Sequence, residues 1–316
     1  MRVKFWGVRG SHPRPLTPED IRNKITAVVE RIRGDDLVNV ESKRRFLANL
    51  PNWLFGTPGG NTPCVEVNVP RTPPILLDAG TGIQSYSANL GKGIHRPKQY
   101  HIFFTHFHYD HVQGLPFFSG LFHPQSEVHF YSPVEELEEI LLGHMVHPYF
   151  PIRLDSEFTS NLHFHVLRDG PVRIGKAEIS WRALNHPGGA FGYRIQHGQK
   201  AIVYATDIEL LETDFHRTPE NIAFFGNADC LIMDTQYTLG EAIQKYNWGH
   251  TSFSHGVEFA GAWGFKQLYL FHHEPLYDDK KLHGNLQSAR WYAERIGRDA
   301  LAVDLAEEGV EWSCDE

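Results

Sequence analysis

The sequence predicts an α/β fold, built as a sandwich of two sheets with helices on the outer faces. Three observations carry that prediction. Short strand-like segments lead, helices are interspersed among them, and this alternation occurs twice along the 316 residues. The stretch Tyr100–Thr105 ("YHIFFT") is almost continuously apolar, as expected of a strand covered on both faces. A chain of this length buries a substantial core, and it reads as one domain over 1–316 with a helical insertion at about 17–55.

The elements follow in order. Val3–Val8 reads as a strand ending in the Gly/Pro-rich loop "GVRGSHPRP". In "TPEDIRNKITAVVERI", Thr17 is the N-cap, Pro18 takes the first helical position, and Ile21, Ile25, Val28, Val29 and Ile32 recur at helical spacing. "ESKRRFLANLPNWLF" is a second helix, ended near Pro51. Strands return at Cys64–Val69 and Ile75–Leu77, the latter closed by "DAGTG". "SPVEELEEILL" places Ser132 at an N-cap with Glu135 completing a capping box. "EVHFYS", "LHFHVL", "AEISWRAL", "GYRIQ", "AIVYATD" and "ADCLIMD" are short strands. "SFSHGVEFAGAWG" is a helix ended by Gly264, "QLYLFHHEP" a strand, and "HGNLQSARWYAERIG" the closing helix.

Composition narrows the function. Hydrophobic residues make up 41% and charged residues 22%, ordinary for a soluble globular chain. A net charge of -8 argues against general nucleic-acid binding, which asks for a basic face. Cys64, Cys230 and Cys314 are odd in number and far apart, so a reducing compartment fits better than a disulfide framework. The start "MRVKFWGVRG" lacks the apolar region of a signal peptide, and no apolar run approaches the roughly 20 residues of a membrane span. A cytoplasmic protein is the expectation.

The chemistry concentrates in "IFFTHFHYDHVQGLP". His106 and His108 stand two apart in extended chain and point the same way, while Asp110 and His111 follow as the chain turns toward a second point. Imidazoles and a carboxylate so placed bracket a volume of two-ion size. The donors favour zinc, with manganese and iron as alternatives.

"THFHYDH" resembles the signature of the metallo-β-lactamase superfamily, and further motifs follow in the right order: "LLDAG", "LNHPGGAFGYRI", "IVYATDIE" and "LYLFHHEP". The resemblance covers nearly the whole chain except the helical insertion. It implies an αββα sandwich of two mixed sheets. It also implies that His106, His108 and His186 hold one divalent ion, that Asp110, His111 and His272 hold the other, and that Asp207 bridges them. His272 is preferred over His273 because it directly follows the strand. Asp78 would orient a ligand imidazole from behind. Two such ions would generate a bridging hydroxide and stabilise charge in an in-line displacement.

Departures within the superfamily sharpen the substrate. No cysteine lies in a ligand motif, which argues against a β-lactam substrate. In "NWGHTSFSHGVEFAGAWG", His250 resembles the histidine with which tRNA 3′-processing endonucleases and related cyclic phosphodiesterases assist phosphoester cleavage; capping the following helix with Thr251 and Ser252 is the alternative. "FWGVRGS", "GGNTPCVEV", "HVQGLPFF" and "PYFPI" are similar to a phosphodiesterase-like branch that includes the phosphoribosyl cyclic phosphate phosphodiesterases. No basic arm for tRNA is evident. The expectation is therefore a phosphodiesterase for a small cyclic nucleotide or cyclic phosphate, with Asp110 and His250 catalytic. A glyoxalase II-like thioesterase or a tRNA-processing nuclease is the alternative, and a non-catalytic metal-binding protein is disfavoured by the complete ligand set. Tyr149 and Phe150 are candidate base-stacking contacts, against a packed aromatic loop. Arg9, His12 and Arg14 read as solvated loop charges, with phosphate contact the alternative. The helical insertion is read as a lid or a homodimer contact.

Overall fold

The computed structural model describes residues 1–90 and 97–314. Its strands are β1 (Arg2–Gly7), β2 (Cys64–Asn68), β3 (Ile75–Leu77), β4 (Gln99–Phe103), β5 (Glu127–Ser132), β6 (Asn161–Val166), β7 (Val172–Ile174), β8 (Ala177–Leu184), β9 (Ala190–His197), β10 (Lys200–Ala205), β11 (Cys230–Asp234), β12 (Gln267–Phe271), β13 (Ala302–Leu305) and β14 (Glu311–Ser313). They form two seven-stranded sheets, ordered β14-β1-β2-β3-β4-β5-β6 and β13-β12-β11-β10-β9-β8-β7. Both are mixed. β3 to β6 run parallel while β14, β1 and β2 pair antiparallel, and β10 to β13 run parallel while β7 to β10 are antiparallel.

Side-chain alternation explains the layers. In β4, Tyr100 and Ile102 face outward onto helices Gly82–Asn89 and Leu137–His144, where Ile83, Tyr86, Leu137 and Leu141 meet them. Phe103, one residue on, points the other way, into the space between the sheets, with Phe5, Val65, Tyr193, Ile232 and Phe271. A strand apolar on both faces therefore serves two cores. On the far side, Val203, Leu231 and Leu268 pack under helices Phe253–Trp263 and Asp279–Arg295. The sandwich of two mixed sheets with outer helices is thus the architecture the sequence predicts. Among the described residues, no helix is long and apolar enough to cross a membrane.

Helix Phe253–Trp263 has the ends its sequence dictates. The Ser252 side chain accepts the His255 N–H, and Gly264 takes the left-handed conformation (φ 76°) that releases the chain into β12. Between β1 and β2 lie helices Pro18–Val29, Val40–Ala48 and Asn52–Phe55. Thr17 caps the first, and Asp20 closes a capping box while pairing with Arg14 at 2.9 Å. Its apolar stripe is not core, however: Ile21, Ile25 and Val29 are 48%, 60% and 61% exposed.

Three details differ from the sequence reading. Ser132 does not cap a helix, because parallel pairing with Val166 makes it the last residue of β5. The helix starts later, at Leu137, and Glu135 pairs with Arg168 instead. The helix Asp279–Arg295 does not close the chain: β13 and β14 follow it and add one edge strand to each sheet. Arg9 is not a solvated loop charge but is 1% exposed, bound to the carbonyls of Gly59 and Tyr277 (both 2.9 Å) and to Asp279 (3.3 Å).

Candidate metal centre

β4 ends at Phe103, and the next residues are drawn under the end of β3. Asp78 there accepts the Thr105 N–H (2.8 Å) and both its oxygens lie 3.0 Å from Thr105 Oγ1. This fixes the emergence of residues 106–108. One helical turn, Tyr109–Val112, then swings Asp110 and His111 to a second point. The loop after β8 brings His186, the end of β10 brings Asp207, and the end of β12 brings His272.

Two donor groups result. In the first, His108 Nδ1 lies 2.9 Å from His106 Nε2 and 3.2 Å from His186 Nε2. In the second, Asp110 Oδ2 lies 3.3 Å from His111 Nε2 and 3.2 Å from His272 Nε2. Asp207 stands between them and gives each group a different oxygen. Its Oδ1 is 3.8 Å from His106 Nε2 and 3.7 Å from His186 Nε2, while its Oδ2 is 3.1 Å from His111 Nε2 and 3.4 Å from His272 Nε2. Both groups have the spacing of sites that could hold a divalent ion.

The rings are held from behind. His111 Nδ1 donates to Asp78 Oδ2 (2.8 Å), His186 Nδ1 to the Gly249 carbonyl (2.9 Å) and His272 Nδ1 to Gln236 Oε1 (3.1 Å). His106 Nδ1 lies 3.1 Å from Thr105 Oγ1, whose own proton goes to Asp78. Each of these bonds leaves an Nε2 lone pair turned inward, the tautomer a metal ligand needs. Glycine lets the backbone approach two of the rings. A Cβ at Gly10 would lie 2.4 Å from His272 Nδ1, and one at Gly249 (φ 87°) 2.3 Å from His186 Nδ1. Asp78, Asp207 and His272 are themselves left-handed, with φ of 62°, 54° and 59°. His273 is turned away: its Nε2 binds the Ala306 carbonyl (2.8 Å), and burial with Arg9 nearby pushes its pKa down to about 3.

Electrostatics follow from crowding. Burial alone would raise the carboxyls of Asp110 and Asp207, but the imidazoles around them hold both well below the usual range. Burial alone would lower His272, yet Asp207, Asp110 and Asp234 raise it to about 9, and His111 is raised by Asp110, Asp207 and Asp78 in the same way. His106 and His186, where burial dominates, are lowered.

A cavity of about 400 Å³ opens above the two groups, lined by Ser11, Phe107, Tyr109, Trp248 and His250 beside the residues already named. His250 does not cap its helix, since Ser252 does that. Its Nδ1 binds Asp234 Oδ2 at 2.6 Å, and its ring stacks on His272 at 5.0 Å. Tyr149 and Phe150 do not line the cavity. Tyr149 is 84% exposed, and Phe150 packs edge-to-face on Phe117 at 5.8 Å. The aromatic lining comes instead from Phe107, Tyr109 and Trp248. Asp234, Gln236 and Ser11 also escaped the sequence reading. For Asp234 a signal existed: "LLD", "YATD" and "LIMD" each end a buried strand in aspartate, and all three aspartates reach the site.

Comparison with known proteins agrees with this fold. The β-lactamase superfamily domain matches residues 74–273. No curated protein sequence matches the chain. Among solved structures, the metallo-β-lactamase fold protein YhfI from Bacillus subtilis superposes with a TM-score of 0.63 at 16% identity, covering 98% of each chain. The short form of human tRNase Z gives 0.61 at 18% identity over 99% of each chain. A diphosphatase from the PhnP family gives 0.59 at 18% identity, over 99% of this chain and 97% of its own. A match over most of the chain, joined to the two mixed sheets, shows that the protein belongs to the β-lactamase superfamily and has the metallo-β-lactamase fold.

Proposed function

We propose that this protein is a dinuclear metal-dependent phosphodiesterase acting on a small cyclic nucleotide or cyclic phosphate. The observation that carries the reading is the His250–Asp234 pair, joined at 2.6 Å and sharing one cavity with both donor groups. The residues fit two ions on a test independent of family. His111 Nε2 is buried and has no hydrogen-bond partner among the described residues, although carboxylate oxygens of Asp110 and Asp207 lie 3.3 and 3.1 Å away. A buried ring nitrogen without a hydrogen bond, facing two carboxylates, is what a bound cation in the proton's place resolves.

His106, His108 and His186 would hold one ion, Asp110, His111 and His272 the other, with Asp207 shared. Imidazole and carboxylate suit zinc, and also manganese or iron. Bound there, two divalent ions supply Lewis acidity toward water and toward phosphoryl oxygens. The remaining work falls to the chain. Asp234 accepts the Nδ1–H bond of His250 and orients its ring, leaving Nε2 as the atom that hands a proton to the leaving oxygen. The Ser11 N–H holds Asp110 Oδ2 at 2.8 Å, so the carboxylate keeps its aim. Phe107, Tyr109 and Trp248 offer apolar faces to the organic part of the substrate.

The net charge of -8 favours a small substrate over tRNA. The names of two structural neighbours, a diphosphatase and a tRNase, lean toward phosphoryl chemistry, in a superfamily whose members are mostly hydrolases. Assaying the metal-loaded protein against cyclic mononucleotides, cyclic phosphates, a tRNA precursor and a thioester tests the proposal. Cyclic phosphodiesters should give the highest kcat/KM; a thioester ranking first would replace the reading with a thioesterase.

A further inference from the structure

We propose that a second divalent-metal site, separate from the centre above, is built on β5 and β6 from Glu127, His129 and His163. Parallel register sets His129 beside His163, and Glu127 stands two residues before His129 on the same face. One ligand atom from each of the three lies within 4.8 Å of the others. The site sits toward the N-terminal ends of these strands, whereas the catalytic cluster sits at the C-terminal ends.

The hydrogen bonding leaves one nitrogen vacant. His129 Nδ1 meets His165 Nε2 at 3.1 Å, and in the tautomer where His129 donates, its Nε2 keeps a lone pair. That Nε2 is shut off from solvent, has no hydrogen-bond partner among the described residues, and lies 3.8 Å from Glu127 Oε2. Behind it, His101 stacks on His129 at 4.8 Å and is anchored to the Tyr131 hydroxyl at 2.9 Å. His163 stacks on the other side at 4.4 Å. Burial, with neighbouring imidazoles close by, lowers His129 and His165, so His129 presents a neutral imidazole. Neutral imidazole with a carboxylate is a zinc-type donor set, with a fourth position open to water. His129 Nε2 and Glu127 Oε2, at 3.8 Å, stand wider apart than the donors of a tetrahedral zinc, so the partly exposed Glu127 must turn inward. A bound ion would tie the edge strand β6 to β5.

The test compares the full chain with the His129→Gln/His163→Gln variant, each stripped with chelator, reloaded with zinc and freed of excess. The wild type should retain one equivalent more than the variant and show a larger zinc-induced rise in Tm. Cobalt(II) in place of zinc should give a visible absorption band that the variant lacks. Equal stoichiometry with equal cobalt spectra would overturn the proposal. Should the double variant not fold, His163→Asn, at the partly exposed position, carries the same comparison: a loss of at least tenfold in affinity for the extra equivalent is expected, and unchanged affinity overturns the site.

Discussion

Two histidine clusters draw on the first sheet, one shared with the second sheet at the strand ends and one along the strands, and they are held in opposite ways. At the C-terminal end of β4, each ring of His106 and His111 is tied from behind by a hydroxyl or carboxylate, and its inner nitrogen faces a carboxylate. Along the strands, His101, His129 and His163 are held chiefly by one another, ring on ring. The difference shows in their protons. His272, in the first cluster, is raised to about 9 by its carboxylates, while His101, in the second, is pushed down by burial to about 4. Where carboxylates crowd a ring, as at His272 and His111, the proton is held until an ion displaces it. Where burial dominates, as at His101 and His129, the proton is shed on folding.

The largest effect that would break this contrast is loss of a carboxylate from the first cluster. Asp110→Ala should lower kcat by on the order of 10⁴-fold, the upper range for a single catalytic group, with far-UV circular dichroism unchanged. Wild-type turnover in that variant would remove "THFHYDH" from the chemistry. His250→Ala should leave metal content intact and lower cleavage of alkyl phosphodiesters by about 10²–10³-fold. A nitrophenyl phosphodiester, whose leaving group needs no proton, should suffer less; equal small losses on both would reduce His250 to a packing residue. Asp78→Asn keeps the shape behind His111 but weakens its charge, so metal affinity should fall about 10- to 100-fold by competition with a chelating dye. No change would mean that the ring needs no support.

The smallest effect concerns pH, and here the clusters should respond in opposite senses. In chelated protein, His272 has a folded pKa of about 9, above its unfolded value of about 6.5. Its stabilising contribution is complete below about 6.5 and is lost as pH rises through about 9. His101, with a folded pKa of about 4, contributes fully above about 6.5 and loses that contribution as pH falls toward 4. The Tm of ion-free protein should therefore decline on both sides. Charging with zinc should remove the alkaline decline, since the ion takes the proton's place, and metal affinity should rise with pH up to about 9. An alkaline decline that persists in the zinc-loaded protein would show that His272 keeps its proton and takes no ion.

How much of this was legible depended on distance along the chain. His106, His108, Asp110 and His111 lie within six residues, so their convergence could be read from strand and turn geometry alone. His186, Asp207 and His272 were visible only as members of an ordered set, because nothing local distinguishes His186 from an ordinary loop histidine. Asp234 was missed because its partner lies 16 residues on, across a helix and a turn. The outer ladder was missed for a similar reason. "YHIFFT", "EVHFYS" and "LHFHVL" were each read as strands, but that His101, His129 and His163 share one row is a property of register, which no single strand contains. The exposed stripe of Ile21, Ile25 and Val29 marks the opposite failure, where helical periodicity was real and burial did not follow.

Seven non-glycine residues have positive φ among those described, and Ser11, Asp78, Asp207 and His272 are four of them. Left-handed backbone of this kind costs about 1–3 kcal/mol per residue, least where aspartate is tolerated. The site is therefore a place where the molecule is less stable than its sandwich permits. Glycine at position 272 would relax the backbone while deleting an imidazole, trading chemistry for robustness.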